Sequence, residues 1–133
     1  MRIRDKVESE VIEYYRNKKK KEQLEYEIGL LEKSNEDLIK YSGIENKEYI
    51  NRRIERNKSK LIKKNIEKDE LINRILNMDS VIAQLNQEEK ELCELRYKKR
   101  MEYQSIAYSL NVSRSTICRR IQALVENLKE EYQ

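Results

Sequence analysis

The residues best suited to chemistry in this chain lie between positions 103 and 122, and the chemistry they suit is hydrogen bonding to a nucleic acid. Arg114, Ser115, Thr116 and Arg119 sit close enough together to share the first turns of one helix. A guanidinium fork matches the paired acceptors on a guanine edge, and hydroxyls donate or accept, so this is a set that can read bases in a major groove. The residues around them have the spacing of a helix-turn-helix. Ala107 is small where two helices would cross, and Asn111, four residues on, is the best non-glycine residue for a left-handed turn. Leu110 and Val112 flank that turn, Ile117 follows Ala107 by ten, and Ser113 can cap the helix that opens there. The expectation is a helix over 102–110 and a second over 113–131, whose apolar face is Ile117, Ile121, Leu124 and Leu128.

A second group suits phosphates. Lys98, Lys99, Arg100, Tyr103, Gln104, Ser113 and Arg120 would hold the backbone and set register. Net charge is only +4, yet Arg96 to Arg120 carries seven basic residues and one acid, Glu102. A local excess of that size releases counterions from DNA even when the whole chain is nearly neutral. The competing explanation is an ordinary three-helix core without a ligand. The absence of any acid over 103–123 argues for the DNA-facing one.

Enzymatic chemistry has no foothold. There is no histidine, no glycine-rich phosphate loop and no metal-ligand cluster, so neither catalytic residues, metal nor cofactor is expected. Cys93 and Cys118 fall in helical patterns beside apolar neighbours and are expected to be small core or half-buried thiols in a reducing compartment. No signal peptide is expected, and no apolar run approaches the roughly 20 residues that span a bilayer. The expected location is the cytoplasm of a bacterial cell.

Along the whole sequence 41% of residues are charged, proline is absent, and Gly29 and Gly43 are the only glycines, which favours long helices. A first helix is expected over 2–40, on the stripe Ile3, Val7, Val11, Tyr14, Leu24, Ile28, Leu31 and Leu38, interrupted by the basic run 16–21. Gly43 and a Ser42-x-x-Glu45 cap mark a turn. A second helix over 45–85 carries Ile54, Leu61, Lys68, Ile75 and Ile82 seven apart, with Ile62 near the same stripe and a soft break at 77–80. Folding about 42–43 would oppose Glu22, Glu25, Glu27 and Glu32 to Lys63, Lys60, Lys58 and Arg53, which selects an antiparallel hairpin. The basic runs 16–21 and 52–64 are expected as solvated, salt-bridged faces. Asn86-x-x-Glu89 then caps a helix from Gln87 that buries Leu92, Cys93 and Leu95.

The stretches Glu91–Tyr97, Tyr103–Ala107 and Leu110–Ile117 resemble region four of bacterial sigma factors, over residues 85–128. That resemblance implies a promoter-reading helix-turn-helix. Three departures bear on which sequence is read: basic residues replace the usual loop glycine near 98–100, Ser105 stands for an acid, and Asn111 for the turn glycine. The rest of the chain does not look like the polymerase-gripping part of a sigma factor. A helical N-terminal part before such a motif is similar instead to phage late-gene transcription regulators of the ArpU and RinA type.

The sequence thus predicts an all-α protein, a long antiparallel helical hairpin over 1–85 followed by a three-helix helix-turn-helix domain over 86–133. The expected partner is double-stranded DNA, read by a homodimer whose hairpin dimerises or touches RNA polymerase, with no membrane involved. The expected function is transcription regulation, as a phage or mobile-element activator. The alternatives are a phage terminase small subunit, which would form rings, and a scaffold that binds no DNA.

Overall fold

The computed structural model describes residues 5–41 and 47–132, and every regular element among them is helical. The order is α1 (Lys6–Lys40), α2 (Lys47–Ala83), α3 (Gln87–Cys93), a π-helical turn (Glu94–Lys98), α4 (Tyr103–Leu110) and α5 (Arg114–Tyr132). This is the expected all-α fold, a long antiparallel hairpin followed by a three-helix helix-turn-helix. No helix among the described residues is long and apolar enough to cross a membrane. The cap expected at Ser42 and Gly43 lies outside the described residues.

Packing groups the chain into two compact units, residues 18–73 and residues 1–17 with 74–133. This differs from a boundary at residue 85. The start of α1 and the end of α2 pack with the helix-turn-helix because Val7, Val11, Tyr14, Ile75, Met78 and Leu85 share one buried cluster with Leu92, Ile106, Ile117, Ile121, Leu124 and Leu128. Truncating one of the fully buried members to alanine would cost about 2–5 kcal/mol.

In the 18–73 unit the two helices meet along a seam that alternates three- and four-residue steps. It contains Lys21, Leu24, Ile28, Leu31, Asn35 and Leu38 on α1, and Ile50, Ile54, Asn57, Leu61, Lys64, Lys68 and Leu71 on α2. Only Leu24, Ile28, Ile50, Ile54 and Leu71 are buried apolar residues there. The middle is polar: Asn57 Nδ2 donates to Asn35 Oδ1 at 2.9 Å and to Ser34 Oγ at 3.3 Å, and Lys64 Nζ pairs with Glu27 Oε2 at 2.7 Å.

These contacts correct the expected register. Glu27 meets Lys64 rather than Lys58, while Lys58 pairs with Glu55 and Glu25 with Lys21 inside their own helices. Opposite charge selected the antiparallel orientation, but surface pairs worth a fraction of a kcal/mol cannot set the register against the packing of Leu24, Ile28, Ile50 and Ile54. Two further expectations fail. Ile62 is exposed, and α2 runs through 77–80 unbroken, with the Ser80 hydroxyl donating back to the Leu76 carbonyl.

In the other unit Asp5 caps α1, its Oδ1 accepting from the Val7 amide at 3.1 Å, while the Asp5 amide donates to Glu8 Oε1 at 3.4 Å. Lys129 of α5 closes on Asp5 at 2.8 Å. The hydrogen bond it donates, followed by the one from the Val7 amide, holds the Asp5 carboxyl below the usual carboxylate value. The basic run that breaks the apolar stripe does not break the helix, since Asn17 is buried and α1 continues through it.

Candidate nucleic-acid interface

The site is built from the turn outward. Asn111 ends α4 at φ 59° and ψ 44°, in the left-handed region. Its amide donates to Tyr108 O at 3.3 Å, and the Val112 amide reaches back to Ala107 O at 3.0 Å. Those two bonds form a Schellman closure, which satisfies the last carbonyls of α4 and turns the chain sharply into α5. Ser113 then caps α5, its Oγ accepting from the Thr116 amide at 3.2 Å. Behind the turn Ile106, Ala107 and Ile117 are almost wholly buried, so the crossing of α4 and α5 is fixed by packing.

On the outward side of α5, Arg114, Ser115 and Arg119 are exposed. Thr116 is half-buried and locally engaged: its hydroxyl lies 2.8 Å from Ser113 Oγ and accepts a long contact from Arg119 Nη2 at 3.4 Å. It therefore braces the cap and Arg119, rather than standing free like Arg114. Arg120 is half-exposed and paired with Glu88 of α3 at 3.2 Å, so any anion binding there would have to compete with that carboxylate.

Before α4, Lys98, Lys99 and Arg100 are exposed on a corner the sequence did not specify. The Lys99 amide bonds to Glu94 O at 2.9 Å and the Met101 amide to Leu95 O at 3.1 Å. One extra residue is thus accommodated as a π turn, a rare feature that recurs at functional sites. Arg100 takes φ 59°, a conformation costly for any residue but glycine. The Arg96 guanidinium donates to Met101 O at 2.8 Å and stacks 4.4 Å from the Tyr103 ring centroid, which locks the corner. Tyr103 is consequently half-buried, while Gln104 is exposed at the start of α4.

One exposed residue escaped the sequence reading. Tyr108 is 88% exposed, one turn beyond Gln104 on the same face of α4. Its i+4 spacing from Gln104 was legible, but nothing in an isolated tyrosine distinguishes a surface position from a core one. The two thiols separate cleanly. Cys93 is fully buried and burial pushes it up to about 12, whereas Cys118 is half-buried on α5 beside Arg119. Among the described residues no group of His, Cys, Asp and Glu could hold a metal ion.

No curated protein and no solved structure matches the chain. A single family profile covers the hairpin and the helix-turn-helix alike, running over residues 3–130, and the chain belongs to that family, described as a protein of unknown function (DUF722).

Proposed function

We propose that the chain is a sequence-specific double-stranded DNA-binding protein that regulates transcription, as an activator at promoters of phage or mobile-element genes. The observation that carries this reading is the Asn111 turn followed by the Ser113-capped helix, which leaves Arg114, Ser115 and Arg119 exposed on an acid-free stretch. Arg114 and Arg119 read guanine edges. Lys98, Lys99, Arg100 and Gln104 bind phosphates, and the open amides at the start of α5 add to them. Ser113 and Thr116 position the reading helix. One such head covers few bases, so two copies act together on paired half-sites.

The test is selection of bound fragments from the source genome by the full chain, followed by titration at several salt concentrations. Recovery of promoter segments, with affinity falling steeply as salt rises, is the expected result. Recovery of one packaging site would move the reading to a terminase subunit. Binding insensitive to salt, or no enrichment of any fragment, would remove DNA reading altogether.

A further inference from the structure

The unit of residues 1–17 and 74–133 holds a polar cavity of about 330 Å³. Its walls are the start of α1 and the end of α2, and Tyr132, the last residue of α5, closes one side. Asn17 is the odd residue in that wall. Its side chain is only 4% exposed, yet its amide makes no hydrogen bond among the described residues. No side-chain polar atom among them is wholly enclosed without a partner, so the little surface Asn17 keeps is on its amide, toward the cavity. A nearly buried amide with nothing to bond costs stability, and such a group in a cavity calls for an occupant.

The charges around it are sorted. The Tyr14 hydroxyl donates to Asp79, which sets the register of the antiparallel pair. Stepping from Tyr14 to Asn17 on α1 therefore runs toward Arg74 on α2, and stepping back to Glu13 and Glu10 runs away from it. Arg74 and Asn77 are exposed and make no side-chain contact of their own among the described residues. Glu13 has only the exposed Arg16, at 3.7 Å, and Glu10 faces the Tyr132 hydroxyl. Both carboxylates thus keep lone pairs to offer.

We propose that this cavity binds a small zwitterion, its carboxylate on Arg74 with the Asn17 and Asn77 amides and its ammonium on Glu13 and Glu10. A guanidinium takes a carboxylate through two parallel bonds, and the Asn17 amide donates where water is largely excluded. Discrimination comes from repulsion as much as from attraction. A plain anion meets the two glutamates, and a diamine meets Arg74. The volume lies at the small end of ligand sites, which suits a skeleton of a few carbons between the charges. The site stands whether or not α5 reads DNA.

The experiment is a titration of the full chain with glycine, β-alanine, γ-aminobutyrate and δ-aminovalerate, with butyrate and butylamine as single-charge controls. The side-chain amide resonance of Asn17, assigned by its loss in Asn17→Leu, reports occupancy. One member of the zwitterion series should shift it saturably, at least about tenfold tighter than either control. Arg74→Met should abolish that shift, and Glu13→Gln should reduce the zwitterion to the affinity of butyrate. Asn17→Leu supplies the decisive sign: calorimetry should find the free protein melting higher and the zwitterion no longer bound. No saturable shift with any zwitterion overturns the proposal, as does butyrate binding equally well. A lower melting temperature for Asn17→Leu also overturns it, since the amide would then be satisfied by water in a merely hydrated cavity.

Discussion

The Tyr97 hydroxyl donates a 2.7 Å hydrogen bond to Glu8 Oε2, joining the turn before α4 to the first turn of α1 across 89 positions. Both residues are buried, Tyr97 at 2% and Glu8 at 4% exposure. Burial and the facing carboxylate push the phenol above its ordinary value, so Tyr97 remains a donor at any working pH. The helix-turn-helix is therefore not self-contained: its core and its buried polar link both extend into α1.

Tyr97→Phe should destabilise the protein by about 1–3 kcal/mol, because it leaves a buried carboxylate oxygen without its donor. The loss would be read in denaturant titration of the full chain. Replacing Glu8 with Leu in the same chain should recover part of it, since no buried carboxylate then lacks its donor, and only part because the Asp5 amide loses its acceptor on Glu8. A single substitution as harmless as a surface change would mean that water reaches Glu8.

Arg100→Gly should move stability and binding in opposite directions. The left-handed backbone at φ 59° strains any side chain, and glycine removes that strain for a net gain of roughly 0.5–1 kcal/mol. On the proposed function the same change would delete a phosphate contact, so DNA affinity should fall for all sequences alike and the salt slope should shrink by about one. A variant that is both more stable and unaltered in binding would take Arg100 off the interface.

Arg114→Ala and Lys99→Ala should separate reading from holding. The first should cost about 1–3 kcal/mol on the selected site and little on random DNA, while the second should weaken both equally. Fluorescence anisotropy on a matched pair of duplexes measures the difference. Equal losses from Arg114→Ala on both duplexes would show that α5 does not read bases.

What the sequence made legible was local. Asn111, Ser113 and the Asn86–Glu89 capping box each declare their role within a few residues, because cap chemistry is set by the backbone groups nearest to it. What stayed hidden was long-range or register-dependent. No spacing announces that Glu8 meets Tyr97, and charge blocks could orient the hairpin without aligning Glu27 with Lys64. The run at 16–21 looked like an interruption because Asn17 is polar, yet its side chain is buried. For the candidate site, Arg114 and Arg119 stand exposed where spacing put them on α5, whereas the partners of Arg120 and Tyr103 depend on α3 and Arg96, which no local pattern encodes.

The two cysteines should differ sharply in reactivity. Cys118 should react with a small maleimide in the native protein, and Cys93 only at the rate of unfolding, because its thiol is buried and held near 12. Mass spectrometry of a labelling time course, with Cys118→Ser as control, reads this directly. If α5 reads DNA as proposed, bound DNA should slow labelling of Cys118, which lies on α5 next to Arg119. Rapid double labelling of native protein would mean that the core opens easily around α3.

The Asp5–Lys129 pair gives a pH dependence whose sign is fixed. Lys129 lowers the Asp5 carboxyl from 3.8, first through the hydrogen bond it donates, and Asp5 raises the Lys129 ammonium from 10.5, again chiefly through that bond. A lowered carboxyl contributes stability that is fully present above its unfolded value near 3.8 and is lost as pH falls through the folded one. A raised ammonium contributes below its unfolded value near 10.5 and loses that contribution as pH rises further. Lys129→Met should therefore melt below the wild type on the plateau between those limits, and the gap should close as the solution is acidified past the Asp5 titration. Both side chains keep substantial contact with water, so the gap should also shrink with added salt. A melting difference that persists unchanged into strong acid would mean that Lys129 acts through the packing of its stem against α1 and not through its charge.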